Sequence, residues 1–148
     1  MISSESLEAL LPWRHPFLLI DRMVACEPHR GIRTTKQVTA DDPLMPAPAG
    51  GAGVWPGVLV LEGLNQSAAL LFRMTYGPVE PGRLPLLGFM QARFPGTAAP
   101  GDTIAFQVTA VKMTSTRGLF SGTARVGRRS IARAELAFAV ARPHGGDS

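Results

Sequence analysis

The stretch that decides the fold is VWPGVLVLEGLNQSAALLFRM, residues 54–74. Pro56 is tolerated in the first turn of a helix, and after residue 58 only Gly63 weakens a helix, without ending it. Apolar residues recur at three- and four-residue steps and also fill the other faces, which is typical of a helix inside a protein. A single carboxylate, Glu62, lies in this run. Because an isolated buried charge is costly, Glu62 needs a partner, a proton or a function.

The totals fit one domain, residues 1–148, with a core of its own. The single cysteine, Cys26, excludes an internal disulfide and a metal site of several cysteines, so we expect no metal. No apolar run reaches the ~18 residues of a membrane span. The N-terminus MISSESLEAL lacks the basic cluster of a signal peptide. We therefore expect a cytoplasmic protein that does not enter a membrane.

The first half of the chain predicts a helix and a hairpin. SESLEALL, residues 4–11, resembles a short helix that Pro12 ends. We expect a strand from the apolar run at 17–20 to a turn at 27–31, and a return strand at 31–38. Residues 41–53 hold three prolines and three glycines and are expected to form a loop.

The second half predicts an antiparallel meander after the long helix. Its strand candidates alternate apolar and polar residues and are separated by glycine-containing turns; they are residues 84–94, 103–113, 116–126 and 130–141. The expected class is α+β, an antiparallel sheet curled around one helix. Because one sheet does not easily cover every face of a helix, we expect a dimer.

Three motifs resemble a known family: LPWRHPFLLIDRM at 11–23, PGVLVLEGLNQSAALL at 56–71 and ARFPGTAAPGD at 92–102. In this order they are similar to the FabZ-type 3-hydroxyacyl-acyl-carrier-protein dehydratases. The resemblance implies the hot-dog fold and paired protomers, often arranged as a trimer of dimers. It implies that the substrate is a 3-hydroxyacyl thioester on the phosphopantetheine of an acyl carrier protein, without a further cofactor. Its chain would lie in a tunnel at the dimer interface and lose water to give a trans-2-enoyl thioester.

The resemblance also assigns site residues. The family uses a histidine and a carboxylate across the dimer interface, and Glu62 matches the carboxylate. Gln66 matches a glutamine one turn further on, where it could orient Glu62. The thioester oxygen becomes enolate-like, and the backbone N–H groups near Gly57 and Val58 are expected to meet it. Glycine at 57 would let a ligand approach closely, and Trp55 is expected at the tunnel mouth.

The histidine is missing. Aligned without a gap, the family's G-H-F-P segment is APAG at 47–50, which places Pro48 at the histidine position and Trp55 at the family's methionine. No histidine occurs between His29 and His144. Proline cannot transfer a proton, so Pro48 is expected only to line the substrate site.

The charge is unevenly distributed. Residues 1–82 hold six basic and eight acidic side chains, whereas residues 83–148 hold nine basic and three acidic ones. These arginines are either solvated strand faces or a docking surface for an acidic carrier protein. Arg93, Arg128 and Arg129 are the docking candidates. Because no recognition motif is present, nucleic acid is not expected as a partner.

Three functions follow from these observations. The first is a catalytically impaired FabZ-like subunit of fatty acid or polyketide biosynthesis that pairs with a His-bearing dehydratase; the expected assembly is a homodimer or a heterodimer with another hot-dog dehydratase. The second is a hot-dog thioesterase that uses Glu62 with Gly57, and the third is a non-enzymatic subunit that binds acyl carrier protein. Glu62 itself is either a structural acid held by Asn65, Gln66 or backbone groups, or a functional base or nucleophile whose pKa burial raises.

Overall fold

The computed structural model describes residues 2–46 and 53–142. The elements in chain order are β1 Ile2–Ser3, α1 Ser4–Leu10, β2 Arg22–Glu27, β3 Gly31–Gln37, α2 Gly57–Tyr76, β4 Leu84–Arg93, β5 Thr103–Thr114, β6 Arg117–Val126 and β7 Arg129–Ala141. The strands form one antiparallel sheet in the order β1-β2-β3-β5-β6-β7-β4. The predicted class, a sheet around one long helix, is confirmed.

The middle of α2 is buried on every side. Residues 63–72 are all buried, which confirms the prediction of a helix inside the protein. Gly63 and Leu64 contact the sheet through Phe106 and Gly122, and the Ser67 hydroxyl hydrogen-bonds that of Thr34 on β3 at 2.8 Å. In an α-helix these positions share one face, while 66, 69 and 73 lie on the opposite face.

The chain itself covers that opposite face. Leu7 of α1, together with Leu11 and the run Leu18, Leu19 and Ile20, belongs to the same buried cluster as α2. One protomer therefore buries the middle of α2 without a second sheet, and our argument for a dimer from the coverage of this helix was wrong. The first two turns of α2 are more open, since Val58 is 70% exposed.

The predicted hairpin is confirmed as β2 and β3, but its first strand does not include residues 17–20. These residues lie outside the sheet, and β2 begins at Arg22. Their backbone groups bind elsewhere: the N–H groups of Phe17 and Leu18 donate to the carbonyl of Arg14, and that of Leu19 donates to a side chain of α2. The apolar run is continuous because residues 18–20 are all buried, not because they form a strand.

The predicted meander is correct for β5, β6 and β7 but wrong for β4. β4 pairs with β7, from Leu84 opposite Ala141 to Arg93 opposite Arg133, and lies at the edge of the sheet. The connection from β4 to β5 therefore crosses the end of the sheet, where Ala98 pairs with Trp55 just before α2. Among the described residues, no helix is both long enough and apolar enough to span a membrane.

Gly63 marks the closest approach of α2 to the sheet. A Cβ atom added there would lie 2.9 Å from Cε1 of Phe106 and nearer still to its Cζ, and Phe106 is only 1% exposed. We expect Gly63→Ala to lower the free energy of unfolding by about 1–3 kcal/mol, the usual cost of overpacking a core. This loss should appear in denaturant unfolding although alanine favours a helix over glycine.

Gly88→Ala is the matched control, because the nearest atom to its added Cβ lies 3.9 Å away. The double variant Gly63→Ala, Phe106→Leu should recover part of the free energy of unfolding that Gly63→Ala loses. A Gly63→Ala protein as stable as the wild type would contradict this packing.

Candidate functional site

Glu62 lies at the border between the open and the buried parts of α2. Its side chain is half-buried, and the Asn65 amide donates a hydrogen bond to Oε1 at 2.9 Å. Burial raises the pKa of the Glu62 carboxyl because it penalises the charged form, and the hydrogen bond from Asn65 opposes this rise. Glu62 is therefore a carboxyl group that is partly accessible and more readily protonated than an ordinary glutamate.

The start of α2 offers unpaired donors. The N–H groups of Leu59 and Val60 both donate to the carbonyl of Pro56, at 3.0 and 3.1 Å. Within residues 2–46 and 53–142, the N–H groups of Gly57 and Val58 have no acceptor, as expected for the first positions of a helix. Such N–H groups, at the positive end of the helix dipole, suit an oxygen that carries negative charge. They lie about one and a half turns before Glu62.

Phe94 explains the glycine at position 57. A Cβ atom added to Gly57 would lie 3.0 Å from Cε1 of the Phe94 ring. The close approach that we expected from a ligand is therefore made here by an aromatic ring of the same chain. Because Phe94 is 48% exposed, its ring lies at the surface beside the free N–H groups. The sequence contained this residue in the ARFPGT motif, but gave no sign that it reaches α2.

The predicted contact between Gln66 and Glu62 is wrong. Gln66 is fully buried, its Oε1 accepts from the N–H of Leu19 at 2.7 Å, and its Nε2 donates to the carbonyl of Phe17 at 2.9 Å. Both polar ends of the amide are thus used to hold residues 17–19 against α2. Asn65 orients Glu62 instead. Side chains three residues apart also meet on a helix, so the spacing of Glu62 and Asn65 was the sequence signal for this pair.

Trp55 is not at an open mouth. Its side chain is 1% exposed and belongs to the core, and its backbone N–H donates to the carbonyl of Ala98 at 2.8 Å. The Lys36 ammonium lies 5.4 Å from the Trp55 ring centroid and makes ion pairs with Asp42 at 3.0 Å and Asp21 at 3.7 Å. The predicted position of Trp55 at an open tunnel mouth is therefore wrong. A large aromatic ring at this position fills the core.

Pro48 lies outside the described residues. What the structure gives is the framework on either side of it: Asp42 precedes residues 47–52 and Trp55 follows them, and both contact the buried Lys36. Lys36 therefore links Asp42, before these residues, to Trp55, after them. Lys36 could not be recognised from the sequence, because its acidic partners Asp21 and Asp42 come from two separate segments.

No described histidine replaces the missing one at Glu62. His29 packs edge-on against Tyr76, whose ring centroid is 5.6 Å away, at the far end of α2. Fourteen residues of helix, about 21 Å, separate Tyr76 from Glu62. His15 is exposed, and its backbone N–H donates to the Glu8 side chain of α1. Among the described residues, no group of three His, Cys, Asp or Glu side chains could hold a metal ion.

The three candidate docking arginines are in different environments. Arg129 donates to the carbonyl of Thr97 and lies 3.8 Å from Asp102, so it ties β7 to the connection before β5. Arg128 is exposed in the turn between β6 and β7. Arg93 is exposed at the end of β4, directly before Phe94 and opposite Arg133. Of the three, Arg93 lies closest in the chain to the start of α2.

The raised pKa of Glu62 predicts a pH-dependent stability. Above the ordinary glutamate pKa of 4.5, the folded protein binds more protons at this group than the unfolded chain, so its stability contribution falls as the pH rises. Glu62→Gln removes this effect. We expect the free energy of unfolding of Glu62→Gln, relative to the wild type, to increase with pH from 4.5 and to level off above the raised pKa. Urea unfolding at a series of pH values measures it, with the exposed Glu135→Gln as control. If the difference in unfolding free energy between Glu62→Gln and the wild type does not vary with pH, the raised pKa of Glu62 is contradicted.

The hydrogen bond from Asn65 predicts a second shift. Asn65→Leu removes a donor that favours the charged form of Glu62, so the pKa of Glu62 should rise further. The ¹³C chemical shift of the Glu62 carboxyl during a pH titration measures this pKa. Thr75→Val, which removes a side-chain hydrogen bond to Leu71 on the same helix, should leave it unchanged. An unaltered titration in Asn65→Leu would exclude Asn65 as the partner of Glu62.

Comparison with known proteins places this geometry in a family. The FabA-like domain family matches residues 11–135. The 3-hydroxyacyl-[acyl-carrier-protein] dehydratase FabZ of Desulforamulus reducens is 37% identical over 141 residues, which cover 95% of this chain and 98% of that protein. Two solved structures share the fold. The dehydratase heterocomplex ApeI:P of Xenorhabdus doucetiae has a TM-score of 0.78 at 14% identity, covering 94% of this chain and 93% of that one. A hypothetical thioesterase with coenzyme A from Streptococcus pneumoniae has a TM-score of 0.63 at 11% identity, covering 82% and 85%. The chain therefore has the hot-dog fold and belongs to the FabA-like family, together with the FabZ dehydratases.

Proposed function

We propose that this chain is an incomplete subunit of a 3-hydroxyacyl-acyl-carrier-protein dehydratase, which supplies a carboxyl group to a His-bearing partner. The observation that carries the proposal is Glu62, half-buried, with a raised pKa and held by Asn65 close to the free N–H groups of α2. At the position that matches the family's histidine the sequence has Pro48. One half of an acid–base pair is therefore present, without the other.

The proposed reaction divides the proton transfers between two protomers. The partner's histidine removes a proton from the carbon next to the thioester carbonyl, and the electron pair of that bond forms the new double bond. The hydroxyl leaves from the next carbon as water after it receives a proton from Glu62. A raised pKa keeps a larger fraction of Glu62 protonated and suits it to act as the acid. The N–H groups of Gly57 and Val58 stabilise the enolate-like thioester oxygen.

The edge of the sheet is the proposed contact with the partner. β4 pairs on one side only, with β7, and the exposed Leu87 and Phe89 lie on it. Phe94 and Val58, which are also exposed apolar residues, continue from this edge to the start of α2. A second protomer paired with β4 would cover these side chains and bring its own loop close to Glu62. The structural neighbour ApeI:P is itself a dehydratase heterocomplex.

The proposed substrate is a thioester on an acyl carrier protein, as the names of the FabZ relatives state for those proteins. Arg93 and Arg128 are the proposed contacts with an acidic carrier. Both are exposed, and Arg93 precedes the Phe94 ring that covers Gly57. Arg129 is left out because Thr97 and Asp102 already bind it. We place the complex in the cytoplasm and in fatty acid or polyketide biosynthesis.

A complementation assay tests the proposal. The partner is the FabZ of Desulforamulus reducens with its helix carboxylate changed to the amide, so that it keeps the histidine and lacks the acid. Neither protein alone should dehydrate a 3-hydroxyacyl carrier thioester, because each lacks a group worth about 10²–10⁴ in rate. Mixed dimers of the two should be active, since one of their sites combines the partner's histidine with Glu62.

The activity of the mixture should disappear with Glu62→Gln and persist with Glu135→Gln. Mixed dimers that form, as measured by native mass spectrometry, but remain inactive would overturn the proposal. Full dehydratase activity of this chain alone would overturn it as well.

A thioesterase is the second candidate. Glu62 and the free N–H groups of Gly57 and Val58 lie within one chain, and a hydrolase that uses a single carboxylate needs no histidine. Hydrolysis of octanoyl-CoA and of octanoyl carrier protein by the chain alone, abolished in Glu62→Ala, would favour it. If Glu62→Ala still binds acyl carrier protein, and the chain shows neither hydrolysis nor complementation, the result would favour the third function, a non-enzymatic subunit that binds acyl carrier protein.

A further inference from the structure

Two arginines face each other on the outer face of the sheet, which is the face turned away from α2. Arg93 on β4 lies directly opposite Arg133 on β7, and both side chains are exposed. The next residue of β7, Ala134, points to the other face and is buried. Directly opposite residues of an antiparallel pair share one face, with Cβ atoms about 4.5–5.5 Å apart, and like charges in such a pair destabilise a sheet. The sheet therefore brings two positive charges together at one point of its surface.

No acidic side chain compensates this pair. Among the described residues, the guanidinium groups of Arg93 and Arg133 make no ion pair and no hydrogen bond. Glu135, two residues further along β7, lies opposite the neutral Gln91 and Ser121. The N–H groups of both guanidinium groups are therefore available to an acceptor from outside the chain.

A groove of about 460 Å³ runs over the arginine pair. Beside the two arginines, polar side chains that can donate hydrogen bonds line it: Gln91, Ser121 and Thr123. Thr123 on β6 lies directly opposite Arg133, so Arg93, Arg133 and Thr123 form one row across three neighbouring strands. Gln107 on β5 and Arg33 on β3 continue this row without an acid. The row thus combines positive charge with hydroxyl and amide donors.

The arrangement selects the chemistry of the ligand. A guanidinium group binds a phosphate with two parallel hydrogen bonds, and a phosphate dianion balances the charge of two arginines. We propose that this groove, here called the arginine groove, binds a phosphate group. The phosphate oxygens contact the guanidinium groups of Arg93 and Arg133 and accept from the hydroxyl of Thr123. Because the ligand removes the repulsion within the pair, its binding also stabilises the folded chain.

The arginine groove is independent of the dehydratase proposal. Its residues lie on the outer face of β4, β6 and β7, whereas Glu62 belongs to α2, which packs against the inner face. Arg93 is also a proposed contact with a carrier protein, but Arg133 is not, so variants of Arg133 test the groove by itself. The phosphate group has two sources, inorganic phosphate or the phosphoryl group of an organic monoester.

Isothermal titration at pH 8 in a chloride buffer tests the proposal, because a phosphate monoester carries close to two negative charges at this pH. The ligands are sodium phosphate, AMP and adenosine, compared at the same ionic strength. We expect phosphate and AMP to bind, and adenosine to bind at least tenfold more weakly than AMP. Tighter binding of AMP than of phosphate would assign the groove to an organic monoester, and the reverse order to the free ion. If neither phosphate nor AMP binds, or if adenosine binds as tightly as AMP, the proposal is overturned.

Variants of Arg133 locate the binding. Arg133→Gln should weaken the binding of the tighter phosphate ligand at least fivefold. Arg133→Glu, which can pair with Arg93, should abolish it and should unfold at a higher temperature than the wild type when no phosphate is present. Arg117→Glu is the matched control with the same change of net charge, because Arg117 is exposed on the outer face of β6 but lies opposite Ala139.

If Arg133→Glu does not fold, Arg133→Gln answers the question. Unchanged affinity in a folded Arg133 variant, or an equal loss of affinity in Arg117→Glu, would place the phosphate elsewhere and refute the site. Neither a carrier protein nor a partner subunit is present in this experiment, so its failure says nothing against the dehydratase proposal.

Discussion

The structure depends on how a helix that is apolar on all sides is removed from water. The sheet covers only the face of α2 that contains Gly63, Leu64 and Ser67. The opposite face is covered by residues between β1 and β2, and Gln66 joins residues 17–19 to the helix. Gln66 accepts from Leu19 and donates to Phe17, so that an irregular segment has its backbone groups satisfied inside the protein. This joint fixes the position of the apolar run at residues 17–20, whose side chains 18–20 are buried in the same core cluster as α2.

The same constraint positions Glu62. The cover of residues 17–19 reaches Gln66, and one turn earlier the helix face opens. Glu62 lies at this border, where it is half-buried and contacts Asn65. A carboxyl group at such a border has a raised pKa and is still within reach of a substrate or a second protomer. The unusual residue of the apolar helix is thus explained by its place in the fold as well as by the family.

The sequence was sufficient for what depends on local pattern. The length and burial of α2 follow from its continuous apolar character, and β5, β6 and β7 follow from alternation and short turns. The sequence was not sufficient for contacts between residues that are far apart in the chain. Gln66 shares a helix face with Glu62, as the spacing predicts, but its amide is used by backbone groups 47 and 49 residues away. Trp55 was expected at the tunnel mouth, but its contacts with Lys36 and Ala98 hold it in the core. β4 has a turn-rich link to β5, and nothing in that link shows that β7 is its neighbour.

The central claim about the fold is that one chain buries α2 by itself, through the contact of Gln66 with residues 17–19. Hydrogen exchange of the Leu19 amide tests it most directly, since this N–H donates to Gln66 rather than to a strand. The structure predicts protection of Leu19 comparable to that of the α2 amides at 64–71, and fast exchange in Gln66→Ala while β5 remains protected. Exchange of Leu19 in the wild type as fast as that of the exposed Arg128 turn would contradict it.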